Sequence, residues 1–232
     1  MSPLRGIVFD KDGTLFDFDA TWAAWTAAII DAEAGGDRAL RDRLDAALGF
    51  DRARTRFRRD SIVIAEPTRT VAERVLAVTG GGDVEALMAR MAAAARTAPQ
   101  VPVAPLAPFF DDLAARGLTL GLVTNDTEGP ARTHLAREGI EGRFAFVAGS
   151  DSGHGAKPDP GPLQAFCAAT GLAPRECVMV GDSTHDLRAG RAAGMRCLGV
   201  LTGPARQKDL APLAERVLGS IAELPKWLDS AV

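Results

Sequence analysis

The chain of 232 residues sets 27 Lys and Arg against 30 Asp and Glu, a formal charge of -3, with 47% hydrophobic and 25% charged residues. This balance excludes a disordered chain and leaves no basic field to gather nucleic acid or anionic lipid, so any bound anion must be held by a local site. No run of about eighteen uncharged apolar residues is present, which excludes an ordinary membrane-spanning helix, and residues 1–5 run straight into an apolar stretch, 6–9, too short for a signal-peptide core and without a cleavage pattern.

The length suggests one substantial core plus a smaller unit. In chain order, the first predicted strand is 4–9. From 17 to about 98 the pattern turns to Ala-, Leu- and Arg-rich helical periodicity, broken at Gly35-Gly36 and Gly80-Gly81-Gly82, with 62–64 the only run of strand character. This predicts a helical cap domain over 17–98, inserted into a core made of 1–16 and 99–232, with the proline-rich stretch 99–108 as a stiff return. Beyond it, apolar runs at 118–124, 144–148, 177–181, 197–201 and, more weakly, 216–218 read as strands. They alternate with predicted helices at 106–116, 129–138, 160–170 and 184–193, ended by Gly117, Gly139, Gly171 and Gly194. Runs apolar throughout suit strands covered on both faces, so the fold class is α/β with a Rossmann-like parallel sheet. Cys167, Cys177 and Cys197 are odd in number and lack metal-type spacing, and read as buried thiols in a reducing cytoplasm.

Chemistry concentrates at the predicted strand ends, where an open parallel sheet places its ligands. The first strand runs into Phe9-Asp10-Lys11-Asp12-Gly13-Thr14: two acids that repel each other and would be relieved by a cation, beside a glycine suited to a tight turn and to backbone approach to phosphate. A plain turn capped by Asp10 would also account for these residues. The next strand ends in Thr124-Asn125, groups able to hydrogen-bond a phosphate oxygen, although a turn would use them too. Ahead of the next helix, Lys157-Pro158-Asp159-Pro160 offers a single positive charge held by stiff flanking residues, although a lone surface lysine is more often simply solvated. Asp182 and Asp186 bracket the entry to the last clear helix and can face one hard cation, or else serve as helix N-caps.

Taken in order, Asp10-Lys11-Asp12-Gly13-Thr14, then Thr124 with Asn125, then Lys157, then Gly181-Asp182-Ser183 with Asp186, the chain resembles the haloacid dehalogenase superfamily over essentially its whole length, and the insert resembles that family's C1 cap. The resemblance implies a Mg²⁺-dependent phosphatase with Asp10 as nucleophile. Asp10, Asp182 and the backbone carbonyl of Asp12 would bind the metal, and Asp186 would support it. Asp12 would be the acid and then the base, while Thr124 and the N–H groups near Asp12 and Gly13 would hold the phosphoryl group and Lys157 would balance charge.

Within that family, the acid at Asp12 disfavours dehalogenation, because halide leaves without a proton. The absence of lysine between Lys11 and Lys157 disfavours Schiff-base hydrolases, and Trp22 stands about where the sugar phosphomutases carry a histidine. The chain thus looks like a phosphoglycolate phosphatase acting on a small phosphate monoester, free of nucleic acid and membrane, as a monomer or homodimer. A phosphotransferase or mutase of the same family and a non-enzymatic binding protein are the alternatives. Lys11 departs from the usual apolar residue. The run from Asp51 to Asp60, with Arg52, Arg54, Arg56, Arg58 and Arg59, suggests an anion clamp involving Arg54 and Arg58, or a solvated helix face. Trp22 and Trp25 would wall the pocket or pack the cap. His185 reads as a neighbour of the metal site, and His134 and His154 as belonging to no constellation.

Overall fold

All four residues of β1 (Gly6–Phe9) are buried. In the computed structural model, which describes residues 3–58, 60–64 and 66–231, the chain leaves β1 for a long insert before returning to the sheet. The insert holds α1 (Phe18–Ala34), α2 (Arg38–Leu48), the short antiparallel strands β2 (Phe50–Asp51) and β3 (Arg56–Phe57), α3 (Thr68–Thr79) and α4 (Val84–Ala95). Asp17, Asp37 and Asp83 start three of these helices by accepting hydrogen bonds from first-turn N–H groups.

The return runs through α5 (Leu106–Ala115), β4 (Thr119–Val123), α6 (Glu128–Arg137), β5 (Phe146–Ala148), α7 (Gly161–Thr170), β6 (Cys177–Gly181), α8 (Thr184–Ala193), β7 (Arg196–Val200), α9 (Gln207–Leu210), β8 (Arg216–Leu218) and α10 (Leu224–Ala231). Among the described residues, six strands form one parallel sheet in the order β5-β4-β1-β6-β7-β8. The strand pleat sends Ile7 and Phe9 into one hydrophobic cluster and Val8 into another on the opposite face, so β1 is sealed between two layers. Its neighbours are β4 and β6, both of which arrive much later in the chain, and the crevice of such a sheet opens where the strand order diverges.

The insert has a hydrophobic cluster of its own, with Trp22, Trp25, Ile30, Leu44, Leu87 and Met91 at its centre. The chain crosses between it and the sheet twice, and the two crossings are joined. Asp17 N–H donates to the Val101 carbonyl at 2.8 Å, Val103 N–H donates to the Leu15 carbonyl at 3.0 Å, and Phe16 and Pro102 form an antiparallel bridge between them.

Two expectations change here. Ile62–Ile64 is a turn of 3₁₀ helix instead of a strand, for these residues pack part-buried against the helical cluster. The arginine-rich run is a hairpin and turn, not a helix face; the rings of Phe50 and Phe57, 5.4 Å apart, close its two strands.

Cys167, Cys177 and Cys197 are free and buried, as expected from their apolar settings. Burial pushes the Cys177 thiol up to about 12, with help from Cys167, and the Cys197 thiol up to about 11. Burial raises Cys167 as well. Since the thiolate is the reactive form, the folded protein is expected to resist a thiol-disulfide reagent at pH 8 and to titrate all three cysteines in urea. Rapid labelling of the native protein would contradict this packing.

Candidate active site

Asp10 comes directly after β1, and its N–H still donates to the Val180 carbonyl of β6 at 2.9 Å. The sheet therefore fixes its main chain while its side chain stands at the carboxyl edge. Thr124 follows β4 and Asp182 follows β6, so three adjacent strand ends deliver these groups to one cavity. The Thr124 hydroxyl oxygen accepts from Asp126 N–H at 3.1 Å, and a hydroxyl that accepts keeps its own hydrogen to donate.

Lys157 enters from the loop before α7. Its Nζ lies 2.6 Å from Asp10 Oδ1, 2.6 Å from Asp186 Oδ1 and 2.8 Å from the Val123 carbonyl. Asn125 holds the lysine's own backbone: its Nδ2 donates to the Lys157 carbonyl at 2.8 Å, and its Oδ1 accepts from Lys157 N–H at 2.9 Å. Asp186 sits in the first turn of α8, where its Oδ2 accepts from Ser183 N–H at 2.9 Å and from Ser183 Oγ at 2.7 Å. That contact aims its other oxygen at Lys157.

Asp10, Asp182 and Asp186 are buried, and one carboxylate oxygen from each lies within 4.8 Å of the others. One ammonium is shared by two of them, Asp10 and Asp186, and Asp182 has no such contact with it. Burial raises Asp10 to about 7 against the pull of Lys157, with Asp186 and Asp12 adding to the rise. Burial likewise lifts Asp182 well above the usual carboxylate range, reinforced by Asp10 and Asp186. At Lys157 burial opposes the charge, but Asp10 and Asp186 outweigh it and raise the ammonium.

The cluster has built-in room. Gly13 has φ 83°, and a Cβ there would stand 2.6 Å from Asp182 Oδ2; a Cβ at Gly203 would overlap the same carboxylate. The Thr202 hydroxyl donates to the Gly13 carbonyl at 2.6 Å and pins that loop. Three converging, buried carboxylate oxygens with surplus negative charge fit a hard divalent cation.

Asp12 lines the same cavity and shows two different oxygens. Oδ2 is ion-paired with Lys11 Nζ at 2.9 Å, whereas Oδ1 is buried with no hydrogen-bond partner among the described residues. Lys11 is 0% exposed. Its Nζ also lies 3.0 Å from Asp126 Oδ2, 3.1 Å from His134 Nδ1 and 5.0 Å from the centre of the Trp22 ring. His134 Nε2 faces the Ala95 carbonyl at 2.8 Å, so Nε2 carries the proton and Nδ1 accepts from the ammonium. Burial, then Lys11, lowers the pKa of this histidine, in keeping with a neutral ring. At Lys11 burial works against the charge, and Asp12 and Asp126 overcome it to raise the pKa.

Asp10, Asp12, Thr124, Asn125, Lys157, Asp182 and Asp186 all line one cavity, together with Trp22 and Trp25. Several details differ from expectation. Gly13 N–H donates to the Phe16 carbonyl at 2.7 Å, so the turn that shapes the loop uses the donor expected to hold phosphate. Arg54 is exposed and pairs with Asp51 at 2.9 Å, and Arg58 donates to the Ala46 carbonyl at 2.7 Å. Neither lines the cavity, because the hairpin carries them to its outer surface. Arg52 binds Asp45 and Asp31, and Arg59 lies outside the described residues. His134 does belong to a constellation. Sequence reasoning also missed Asp126, Thr202 and Gly203. The one available signal was the lysine inside an otherwise acidic, small-residue loop.

A family model for haloacid dehalogenase-like hydrolases matches residues 4–194, a span that takes in every strand end just described. The chain belongs to this family. Among curated haloacid dehalogenase-like relatives, a phosphoglycolate phosphatase of Rhodospirillum rubrum is 38% identical over 116 residues, 50% of this chain and 48% of that protein. The phosphoglycolate phosphatase of Thiobacillus denitrificans is 29% identical over 232 residues, 95% of this chain and 94% of its own. At the higher identity, then, the chain spans about half the length of the curated relative it matches. A crystal structure from Haemophilus somnus, described as a predicted phosphoglycolate phosphatase, superposes with a TM-score of 0.74 at 18% identity, covering 98% of this chain and 99% of that one. That likeness extends the α/β Rossmann-like fold of the haloacid dehalogenase-like hydrolases across sheet and insert alike.

Proposed function

We propose that this hydrolase is a Mg²⁺-dependent phosphatase that cleaves a small phosphate monoester through an aspartyl phosphate on Asp10. One observation carries this reading: a buried Asp10 shares Lys157 with Asp186, and both the acid trio and the unpartnered Asp12 oxygen converge on the same cavity. An Asp10 oxygen attacks phosphorus as the ester P–O bond breaks, and Asp12 gives a proton to the departing alkoxide. Asp12 then removes a proton from water, which attacks phosphorus, releases phosphate and restores Asp10. Lys157 and Thr124 stabilise charge on the phosphoryl oxygens, and Asn125 positions Lys157. Asp10, Asp182 and the Asp12 carbonyl would hold the magnesium, with Asp186 in support; the ion supplies charge neutralisation at the phosphoryl group. Residues 17–98 act as the cap over 1–16 and 99–232. The setting is cytoplasmic, the partner a small molecule, and the assembly a monomer or homodimer.

Release of phosphate from p-nitrophenyl phosphate is expected with magnesium and should vanish with a chelator. Absence of turnover on any phosphate ester would sink the proposal.

A pH dependence follows from the raised acids. For the metal-free protein, Asp10 has a folded pKa near 7 against an ordinary 3.8, so the fold holds more protons between those values. This group therefore favours the folded state below about pH 4, and its contribution fades as pH climbs toward 7. Magnesium must displace those protons, so its affinity rises with pH. The melting-temperature increase caused by excess magnesium is expected to be small at pH 5.5 and larger at pH 8. An equal increase at both would contradict the assignment of Asp10 as a ligand.

A further inference from the structure

The cavity has two chemically different ends. Near the strand ends it is acidic, with Lys157 its only Lys or Arg among the described residues, and that cation is already held by Asp10 and Asp186. The insert supplies the other wall. There the lining includes Phe18, Trp22, Trp25, Val63, Val71 and Met91. The indole N–H of Trp25 donates to the Met91 carbonyl at 3.2 Å, so the hydrogen-bonding end of that ring is engaged within the wall. The one charged side chain that the insert adds to the lining is Glu66, which has no ion-pair partner among the described residues.

No arginine lines the cavity among the described residues, and several of the insert's arginines are occupied elsewhere: Arg69 binds Glu85 at 2.6 Å, Arg90 binds Glu33 at 2.8 Å, Arg52 binds Asp31 and Asp45, and Arg54 binds Asp51. Lys11 stands beside Trp22 but is outside the lining, fully buried and shared by Asp12 and Asp126.

Resting on the phosphatase reading, we infer that the alcohol portion of the substrate is apolar and uncharged, an aryl or branched alkyl group, and that a carboxylated ester such as phosphoglycolate is a poor substrate. A second carboxylate placed against this wall would lose its hydration, find no free Lys or Arg in the lining among the described residues, and face Glu66. An apolar group gains from leaving water, and the aromatic rings offer it edges and faces. The names of the relatives therefore do not transfer to the substrate of this chain.

Inert phosphonates separate this inference from catalysis. By calorimetry with magnesium present, benzylphosphonate is expected to bind at least about tenfold more tightly than phosphonoacetate, as burial of an aromatic ring implies. In turnover, kcat/KM is expected to rise roughly threefold per added methylene along a short alkyl phosphate series. Glu66→Lys is expected to narrow the gap by improving phosphonoacetate binding. Equal or tighter binding of phosphonoacetate by the parent protein would overturn the inference even if p-nitrophenyl phosphate is hydrolysed. Tight benzylphosphonate binding without turnover of any ester would instead uphold the apolar subsite and defeat the phosphatase reading.

Discussion

Asp10→Asn is expected to fold, to bind phosphate esters, and to lose at least about 10³-fold in kcat, because an amide of nearly the same shape has no anionic oxygen with which to attack phosphorus. The structure adds a second expectation that separates chemistry from folding. Without metal, Asp10 is one of three buried acids around a single lysine, and burial makes its charge unfavourable. Removing that charge relieves repulsion between carboxylates, while the amide oxygen can still accept from Lys157. In the presence of a chelator the variant should therefore unfold at the same urea concentration as the parent or a higher one. In magnesium the order should reverse if, as proposed, Asp10 is one of the ligands the variant gives up. Turnover within tenfold of the parent would remove Asp10 from the nucleophile's place.

Lys11→Met is expected to cost stability on the order of 3–5 kcal/mol. The buried ammonium is the common partner of Asp12, Asp126 and His134, at 2.9, 3.0 and 3.1 Å. Methionine fills similar space but leaves two largely buried carboxylates and a buried ring nitrogen without their shared donor. Lys11→Met combined with Asp126→Asn should recover part of the loss, because one of the stranded charges is then gone. The urea midpoints of parent, single and double variants give the comparison. A single-variant loss below about 1 kcal/mol would mean that water or rearrangement replaces the ammonium, and that the network does not hold the loop.

The core sheet and its acids were legible because strand periodicity and order determine what stands at the carboxyl edge. Asp10, Thr124 and Asp182 each follow directly on a strand, so recognising the strands located the residues. Asp186 was legible for a related reason: it lies in the first turn of α8, where it and Ser183 cap that helix together. The Lys11 network was not legible. A lone lysine is normally solvated, and the partners that justify its burial come from 115 and 123 residues away, where nothing in the local pattern of α6 advertises them. The arginine run misled for a different reason. Arg52, Arg54, Arg56 and Arg58 recur with a period of two, but only Arg56 lies in a strand; Arg52 and Arg54 sit in the hairpin turn, and Arg52, Arg54 and Arg58 pair with neighbouring acids. Gly203 could not be found from its surroundings, because its purpose is to stay out of the way of a side chain more than twenty positions earlier.

The pairing of residues 15–17 with 101–103 has a consequence for protein engineering. Since Leu15 and Phe16 are wholly buried and the Leu15 carbonyl and Asp17 N–H are bonded to Val103 and Val101 of the returning segment, neither crossing is a free thread that can be spliced alone. A chimaera that grafts another protein's insert onto this sheet must transplant both crossings as a matched set. A junction that changes the length of either by one residue shifts the lacing by half a pleat and turns Phe16 from the interior toward solvent, directly beside the loop that carries Asp10 and Asp12.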